Sequence, residues 1–193
     1  MEKNELYPIF LKVHQLQVLI VGGGNVGLEK LSFLLKSSPN ANVSLVAPFI
    51  KAGVRILAAA HPTVTLIEDI YAKEYLNEKH IVIAATDNQK VNLDIYLEAK
   101  QRNLLVNLAD QPKYCDFYLG GIVTKGNVKI AISTNGKSPT TAKRLRQFFE
   151  QVIPENINEL VQNLHTYRKR LKGDFEEKVD ILNDLTETLL NKK

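Results

Sequence analysis

The 193-residue chain has a mass of 21.7 kDa, and its 45% apolar and 24% charged residues are typical of an ordinary globular protein. Cys115 is the single cysteine, which excludes an internal disulfide and a multi-cysteine metal or iron–sulfur site. A net charge of +4 is mild for a nucleic-acid-binding protein. The N-terminus shows neither a secretory signal pattern nor the ~20 apolar residues that span a bilayer. We therefore expect a cytoplasmic protein with no membrane or nucleic-acid partner.

Five apolar runs, separated mostly by helical patterns, fill the first half of the chain. They lie at residues 17–21, 43–47, 63–67, 81–85 and 104–108. Helical spacing is clearest in two sets of residues, Leu28, Leu31, Leu34 and Leu35 after the first run, and Leu93, Tyr96, Leu97 and Ala99 after the fourth. Strands that are apolar throughout and alternate with helices indicate a parallel sheet covered on both faces. The predicted fold class is α/β, with a Rossmann-like parallel sheet.

The pattern changes after Asp110. Residues 122–124 and 128–132 flank a glycine turn and predict an antiparallel hairpin, and the chain reads as helical from Ser138 onward. This gives three expected regions: an NAD-binding Rossmann domain at 1–112, a dimerisation and substrate-loop region at 113–150, and a helical region at 151–193. The hairpin and the helices have too little chain to cover their apolar stripes, so we expect a homodimer.

A glycine-rich turn follows the first predicted strand. Residues 22–27 fit G-x-G-x-x-G between a buried strand and an amphipathic helix, the context in which this motif indicates dinucleotide binding. With the ends of the neighbouring strands, the predicted cofactor-binding residues are Gly22, Gly23, Gly24, Asn25, Val26, Gly27, Ala47, Pro48, Ala85 and Thr86.

The second strand ends without the acid that usually binds the adenosine ribose about 20 residues after the motif. Ala47 and Pro48 occupy that place, no Arg stands there to receive a 2′-phosphate, and Lys51 is the first basic residue beyond it. This position does not decide between NAD and NADP, and the missing Arg favours NAD.

Two carboxylates follow the fourth and fifth strands. Asp87 precedes a helix, which favours an N-cap role, whereas Thr86 is the better candidate for a cofactor contact. A hairpin rather than a helix follows Asp110, so capping is less natural there. Asp110 is a candidate acid–base group, and a turn-forming Asp beside Gln111 and Pro112 is the alternative.

A donor-rich loop leads into the helix that begins at Pro139. The predicted substrate-binding residues are Ser133, Thr134, Asn135, Gly136, Lys137 and Ser138 in the loop, and Lys143 and Arg146 on the helix. The two helical cations also fit an ordinary solvated helix face. The chain has no H-x-x-x-H pair and no Cys beside a His, so no metal site is expected.

Several segments resemble, in order and spacing, the precorrin-2 dehydrogenase module of siroheme synthases. They are YPIFL at 7–11, VGGGNV at 21–26, AP at 47–48, AATD at 84–87, NLADQPK at 107–113 and STNGKSP at 133–139. The resemblance covers about residues 5–150. It implies NAD-dependent oxidation of precorrin-2 to sirohydrochlorin for siroheme or a cobalamin-type route, with Asp110 as the essential aspartate, and it implies that the missing ribose acid is tolerated.

The resemblance leaves some questions open. Some members of that family also insert ferrous iron, and the residues do not decide whether this chain does. The cations and amides of the loop suit the carboxylates of a tetrapyrrole substrate. Because the chain leaves no room for a methyltransferase domain, we expect a stand-alone dehydrogenase. The alternative is a non-catalytic NAD-sensing regulatory domain, which would not need the Asp110 segment, the hairpin or the loop.

Overall fold

The apolar runs form a parallel sheet in the computed structural model, which describes residues 3–187. These residues divide into two units, 3–120 with 133–139, and 121–132 with 140–187. The first unit contains β1 Gln17–Val21, α1 Asn25–Ser37, β2 Asn42–Val46, α2 Ala52–Ala59, β3 Val64–Ile67, β4 Ile81–Ala84, α3 Gln89–Gln101 and β5 Leu105–Leu108. The second contains the strands β6 Gly121–Lys125 and β7 Val128–Ile132 and the helices α4 Pro139–Val152, α5 Ile157–Arg170 and α6 Phe175–Thr186.

The five strands of the first unit lie in the order β3-β2-β1-β4-β5, and all neighbouring pairs are parallel. Because alternate side chains of a strand face opposite sides, the sheet supports two separate cores. Ile20 and Leu45 pack with Leu31 of α1 on one side, whereas Val21 and Val106 belong to the core that includes α3 on the other. The predicted parallel sheet with both faces covered is confirmed.

The segment between β3 and β4 is the interval without an α-helix, and it holds a 3₁₀ turn at Lys73–Leu76. Two local predictions were wrong. Leu97 of the predicted α3 stripe is half exposed, whereas Ala99 of that stripe is buried as predicted, and Asn92 and Ile95 are buried beside it. The N-cap of α3 is Asn88, whose side chain accepts from the amides of Lys90 and Val91, so Asp87 is not the cap.

The second unit contains the predicted hairpin, with β6 and β7 antiparallel around Gly126 and Asn127. Gly126 has a φ of 56°, a left-handed conformation that suits a tight strand turn. Asn158 of α5 accepts hydrogen bonds from the backbone and side-chain nitrogens of Asn127, 2.9 Å each. Lys125 reaches the carbonyl of Ile153 at 2.7 Å. These contacts attach the hairpin to the segment that begins α5.

Within residues 3–187, no helix is both long and apolar enough to cross a membrane. The same residues hold no cluster of three or more His, Cys, Asp or Glu side chains that could bind a metal.

Candidate dinucleotide site

The glycine turn joins β1 to α1 through backbone contacts that only glycine allows. Gly22 has a φ of 121°, and a Cβ there would run into the carbonyl oxygen of Ala85. Its amide donates to the carbonyl of Val46, 2.9 Å away. A Cβ on Gly27 would strike the carbonyl oxygen of Gly22, so α1 starts in direct contact with the turn. The turn is therefore wedged between the ends of β2 and β4.

Gly24 differs from its neighbours because a Cβ there would meet nothing within 4 Å. It is exposed and stands at the N-cap of α1 without a capping side chain, so its surroundings are open where the first amides of the helix point outward. Helix N-termini attract phosphates through these amides and the helix dipole. The open space and the amide cluster fit the pyrophosphate of a dinucleotide.

The end of β4 is fixed by a buried asparagine that the sequence analysis missed. Asn92 of α3 is 4% exposed, its Oδ1 accepts from the Thr86 hydroxyl at 2.7 Å, and its Nδ2 donates to the Thr86 carbonyl at 3.0 Å. The amide of Ala85 donates to the carbonyl of Val21 at 2.8 Å, which places Thr86 next to the turn. A polar residue on the buried stripe of α3, three positions before Ile95, was the signal available in the sequence.

The end of β2 also lies against the turn. A Cβ on Gly23 would lie 3.0 Å from the Cβ of Ala47. Ala47 is buried and Pro48 is exposed. The structure thus brings the predicted cofactor residues of three strand ends together around the glycine turn. Their role in binding stays a prediction.

Asp110 lies at the same carboxyl edge of the sheet, two residues beyond β5. The amide of Ala109 donates to the carbonyl of Ala84 at 3.0 Å, which sets Asp110 beside the strand end that leads to Thr86. Asp110 is exposed, and within residues 3–187 its carboxylate has no hydrogen bond or ion pair. Its φ of 60° is left-handed, a conformation that Asp and Asn tolerate better than most residues.

Hydrogen bonds of Cys115 and Asp116 hold the loop that contains Asp110. The Cys115 thiol lies 3.2 Å from the carbonyl of Leu108 and 3.5 Å from that of Gln111, so it joins the two ends of the turn. Burial raises the pKa of this thiol, which keeps it protonated and able to donate. Asp116 accepts from the amide of Val106 at 2.9 Å and pairs with Lys100 at 2.8 Å. The loop that carries Asp110 is thus held in place by hydrogen bonds on the side of Cys115 and Asp116.

The predicted substrate loop is closed by its own hydrogen bonds. The Thr134 hydroxyl donates to the Ser138 carbonyl at 3.1 Å, and the Lys137 amide donates to the Thr134 carbonyl at 3.0 Å. Asn135 and Gly136 have φ values of 53° and 72°, which form the tip. A Cβ on Gly136 would meet nothing within 4 Å. The loop is a hydrogen-bonded turn with open space around its tip. It ends where α4 begins at Pro139, as predicted.

The two cations predicted on α4 belong to the second unit and differ in their surroundings. Lys143 is exposed. Arg146 forms an ion pair with Glu150 one turn further along the helix. Arg146 would have to share its guanidinium with that carboxylate to bind an acidic substrate. Substrate binding by these residues and by the loop stays a prediction.

Comparison with known proteins identifies the family of this arrangement. Residues 9–121, more than half of the chain, match a family described as NAD(P)-binding. The chain belongs to this NAD(P)-binding family. Residues 125–151 match the central region of sirohaem biosynthesis proteins. Both matches agree with the resemblance found in the sequence.

Similar proteins come from several bacteria. The chain is 37% identical over 174 residues to the siroheme synthase of Pseudoalteromonas translucida, covering 90% of this chain and 36% of that protein. It is 36% identical over 188 residues to the siroheme synthase of Hydrogenovibrio crunogenus, covering 95% of this chain and 39% of that protein. The chain therefore spans little more than a third of these relatives.

A solved structure named "SirC, precorrin-2 dehydrogenase" has the same fold. Its TM-score is 0.73 at 24% identity, and the match covers 93% of this chain and 89% of that one. This confirms the predicted fold class, a Rossmann-like sheet followed by a small antiparallel sheet and C-terminal helices.

Proposed function

We propose that this chain oxidises precorrin-2 to sirohydrochlorin with NAD, in the cytoplasm, as a step toward siroheme. The observation that carries the proposal is the carboxyl edge of the sheet, where an open glycine turn at the N-terminus of α1 lies next to the strand ends that present Thr86 and Asp110. The family membership and the siroheme synthases that the chain resembles support the same activity.

The reaction removes two electrons and two protons from the macrocycle as one hydride and one proton. When bound, NAD would supply the hydride acceptor for this step. The turn and the first amides of α1 would hold its pyrophosphate, and Thr86, fixed by Asn92, would contact the cofactor. The remaining proton requires a general base. Asp110 supplies it, since its exposed carboxylate lies at the carboxyl edge of the sheet.

Substrate binding is proposed separately for the loop in the first unit and for Lys143 and Arg146 in the second. Precorrin-2 carries several carboxylates, and each group of residues supplies hydrogen-bond donors for them. If ferrous iron is also a substrate, two pyrrole N–H protons leave as the metal enters, and Asp110 accepts a proton there as well. Residues 3–187 contain no cluster of three or more His, Cys, Asp or Glu side chains that could form a separate iron site.

We also propose that the active form is a homodimer. No residue of α4, α5 or α6 is buried in the described chain, and several large apolar side chains of these helices are exposed. A second copy that covers the apolar stripe of α4 would remove this surface from water.

The deciding experiment is anaerobic incubation of the purified chain with precorrin-2 and NAD, followed by absorbance. We expect sirohydrochlorin and NADH to form in equal amounts. A chain that binds NAD and leaves precorrin-2 unchanged would instead be a nucleotide-sensing domain. Adding ferrous iron to the product mixture then shows whether siroheme forms faster than it does without protein.

A further inference from the structure

Lys51 lies where the end of β2 meets the glycine turn. The segment that links β2 to α2 presses against Gly23, since a Cβ there would lie 3.0 Å from the Cα of Ile50 and would collide with the carbonyl of Phe49. The amide of Lys51 donates to the carbonyl of Gly23, 3.0 Å away. The backbone of Lys51 is therefore part of the same rigid corner as the turn.

The side chain of Lys51 crosses from the start of α2 to the start of α1. Its ammonium donates a hydrogen bond to Oδ1 of Asn25, the first residue of α1. Asn25 is neutral, so this contact positions the ammonium without cancelling its charge. Lys51 is itself the N-cap of α2, so the N-terminal dipoles of two helices add to the positive potential of this corner.

The neighbouring basic residues are neutralised. Arg55, one turn further along α2, pairs with Glu68 at 2.6 Å, and Lys30 of α1 pairs with Glu29 at 3.1 Å. Lys51 has no carboxylate partner within residues 3–187, and residues 46–51 contain no acid. The corner thus carries one uncompensated cation.

The ligand group that suits this cation follows from the geometry of dinucleotide folds. A dinucleotide held by the glycine turn directs its adenosine ribose toward the end of β2. An acid at that place binds the 2′-hydroxyl and repels a 2′-phosphate, whereas a nearby cation attracts the phosphate. Here the acid is absent and the cation is Lys51.

We propose that Lys51 binds the 2′-phosphate of NADP, so that the site accepts NADP as well as NAD. This rests on the proposed function only in assuming that the turn binds a nicotinamide dinucleotide. Lys51 is then the residue that sets the ratio of the two affinities, and it makes little difference to NAD, which has no group at that position.

The test measures binding rather than turnover. The dissociation constants of NADH and NADPH are determined by fluorescence titration for the unaltered chain, Lys51→Ala, Lys51→Glu and the control Lys36→Ala. Lys36 lies at the C-terminal end of α1, away from the glycine turn. Lys36→Ala therefore changes the net charge by the same amount as Lys51→Ala without altering the corner. Thermal unfolding shows that each variant is folded.

We expect the unaltered chain to bind the two dinucleotides with constants within about tenfold of each other. Lys51→Ala should weaken NADPH binding about tenfold, the effect of losing one charge-assisted hydrogen bond, and change NADH binding less than about threefold. Lys51→Glu should weaken NADPH binding further and leave NADH bound. Lys36→Ala should alter neither.

Two results would overturn the inference. One is an unaltered chain that binds NADH and excludes NADPH, which leaves the proposed dehydrogenase intact. The other is an equal loss of both dinucleotides in Lys51→Ala, which would assign Lys51 to the pyrophosphate that they share. A chain that binds neither dinucleotide would contradict the proposed function together with this inference.

Discussion

The two units differ in how well the chain covers its own apolar surface. Each α-helix of the first unit has buried residues, among them Leu31 of α1, Val54 of α2 and Ile95 of α3. The described helices α4, α5 and α6 have none, and Phe148 and Phe175 are 54% and 71% exposed. We call the first unit finished, because its helices contribute residues to buried cores, and the second unfinished, because its helices leave large apolar side chains exposed.

The largest expected effect concerns the glycine turn of the finished unit. Gly24→Val should lower NAD affinity at least about 100-fold, because the side chain fills the space of the pyrophosphate and removes charge-assisted hydrogen bonds. The backbone at Gly24 has a φ of −84°, which valine adopts, so the variant should fold. Calorimetry measures the affinity and circular dichroism the fold.

Gly27→Val is the matched control, since its Cβ would strike the carbonyl of Gly22. It should fail to fold, unlike Gly24→Val. Unchanged NAD affinity in a folded Gly24→Val variant would mean that the dinucleotide does not bind at this turn.

The next effect tests whether the unfinished unit is covered by a second copy. Sedimentation at micromolar concentration should find a species of twice the 21.7 kDa chain mass. Leu145→Glu on the apolar stripe of α4 should weaken the dimer about tenfold or more, because burying an unpaired carboxylate is costly. Leu145 is 39% exposed, so the monomer should stay folded.

Gln147→Glu adds the same charge to α4 away from that stripe and should leave the dimer intact. A 21.7 kDa species alone in the unaltered chain would contradict the predicted homodimer.

A smaller effect is expected at the buried polar anchor of the first unit. Asn92→Ala removes the three hydrogen bonds between the Asn92 side chain and Thr86 and should lower the free energy of unfolding by about 1–3 kcal/mol. Urea denaturation measures it. Asn40→Ala, at an exposed turn, should change it by less than about 0.5 kcal/mol. Equal effects of the two substitutions would show that Asn92 does not brace the end of β4.

The smallest effect is a pH dependence at Cys115. Because burial raises the pKa of its thiol, the reactive thiolate forms at higher pH than in the unfolded chain. Alkylation by iodoacetamide at neutral pH should be slower in the native chain than in denaturant, and the native rate should rise as the pH is raised. Equal rates at neutral pH in the two states would contradict a half-buried thiol with a raised pKa at this turn.

The sequence predicts the sheet well because buried parallel strands are continuous apolar runs, and the glycine turn has a local signature. Contacts between distant segments leave no such signature. In the sequence, Asn92 is an ordinary polar helix residue, and only the structure shows its hydrogen bonds to Thr86. Likewise, only the structure shows that the side chain of Lys51 contacts Asn25. Asn88 rather than Asp87 is the cap because α3 begins at Gln89.

Asp110 shows the limit most clearly, since the structure is compatible with both of its sequence interpretations. Its left-handed backbone makes it a turn residue, and its exposed carboxylate at the edge of the sheet leaves it available for proton transfer. Asn adopts the same backbone conformation. Asp110→Asn therefore keeps the turn and removes only the base.

The most direct test of the account pairs two measurements on Asp110→Asn, anaerobic sirohydrochlorin formation and NAD affinity. Turnover should fall by about 10² to 10⁴-fold, the usual contribution of a general acid–base group, while NAD affinity stays near that of the unaltered chain. Asp87→Asn removes an exposed carboxylate after the neighbouring strand and should keep turnover. Near-normal sirohydrochlorin formation by Asp110→Asn would contradict the account and leave Asp110 as a turn residue.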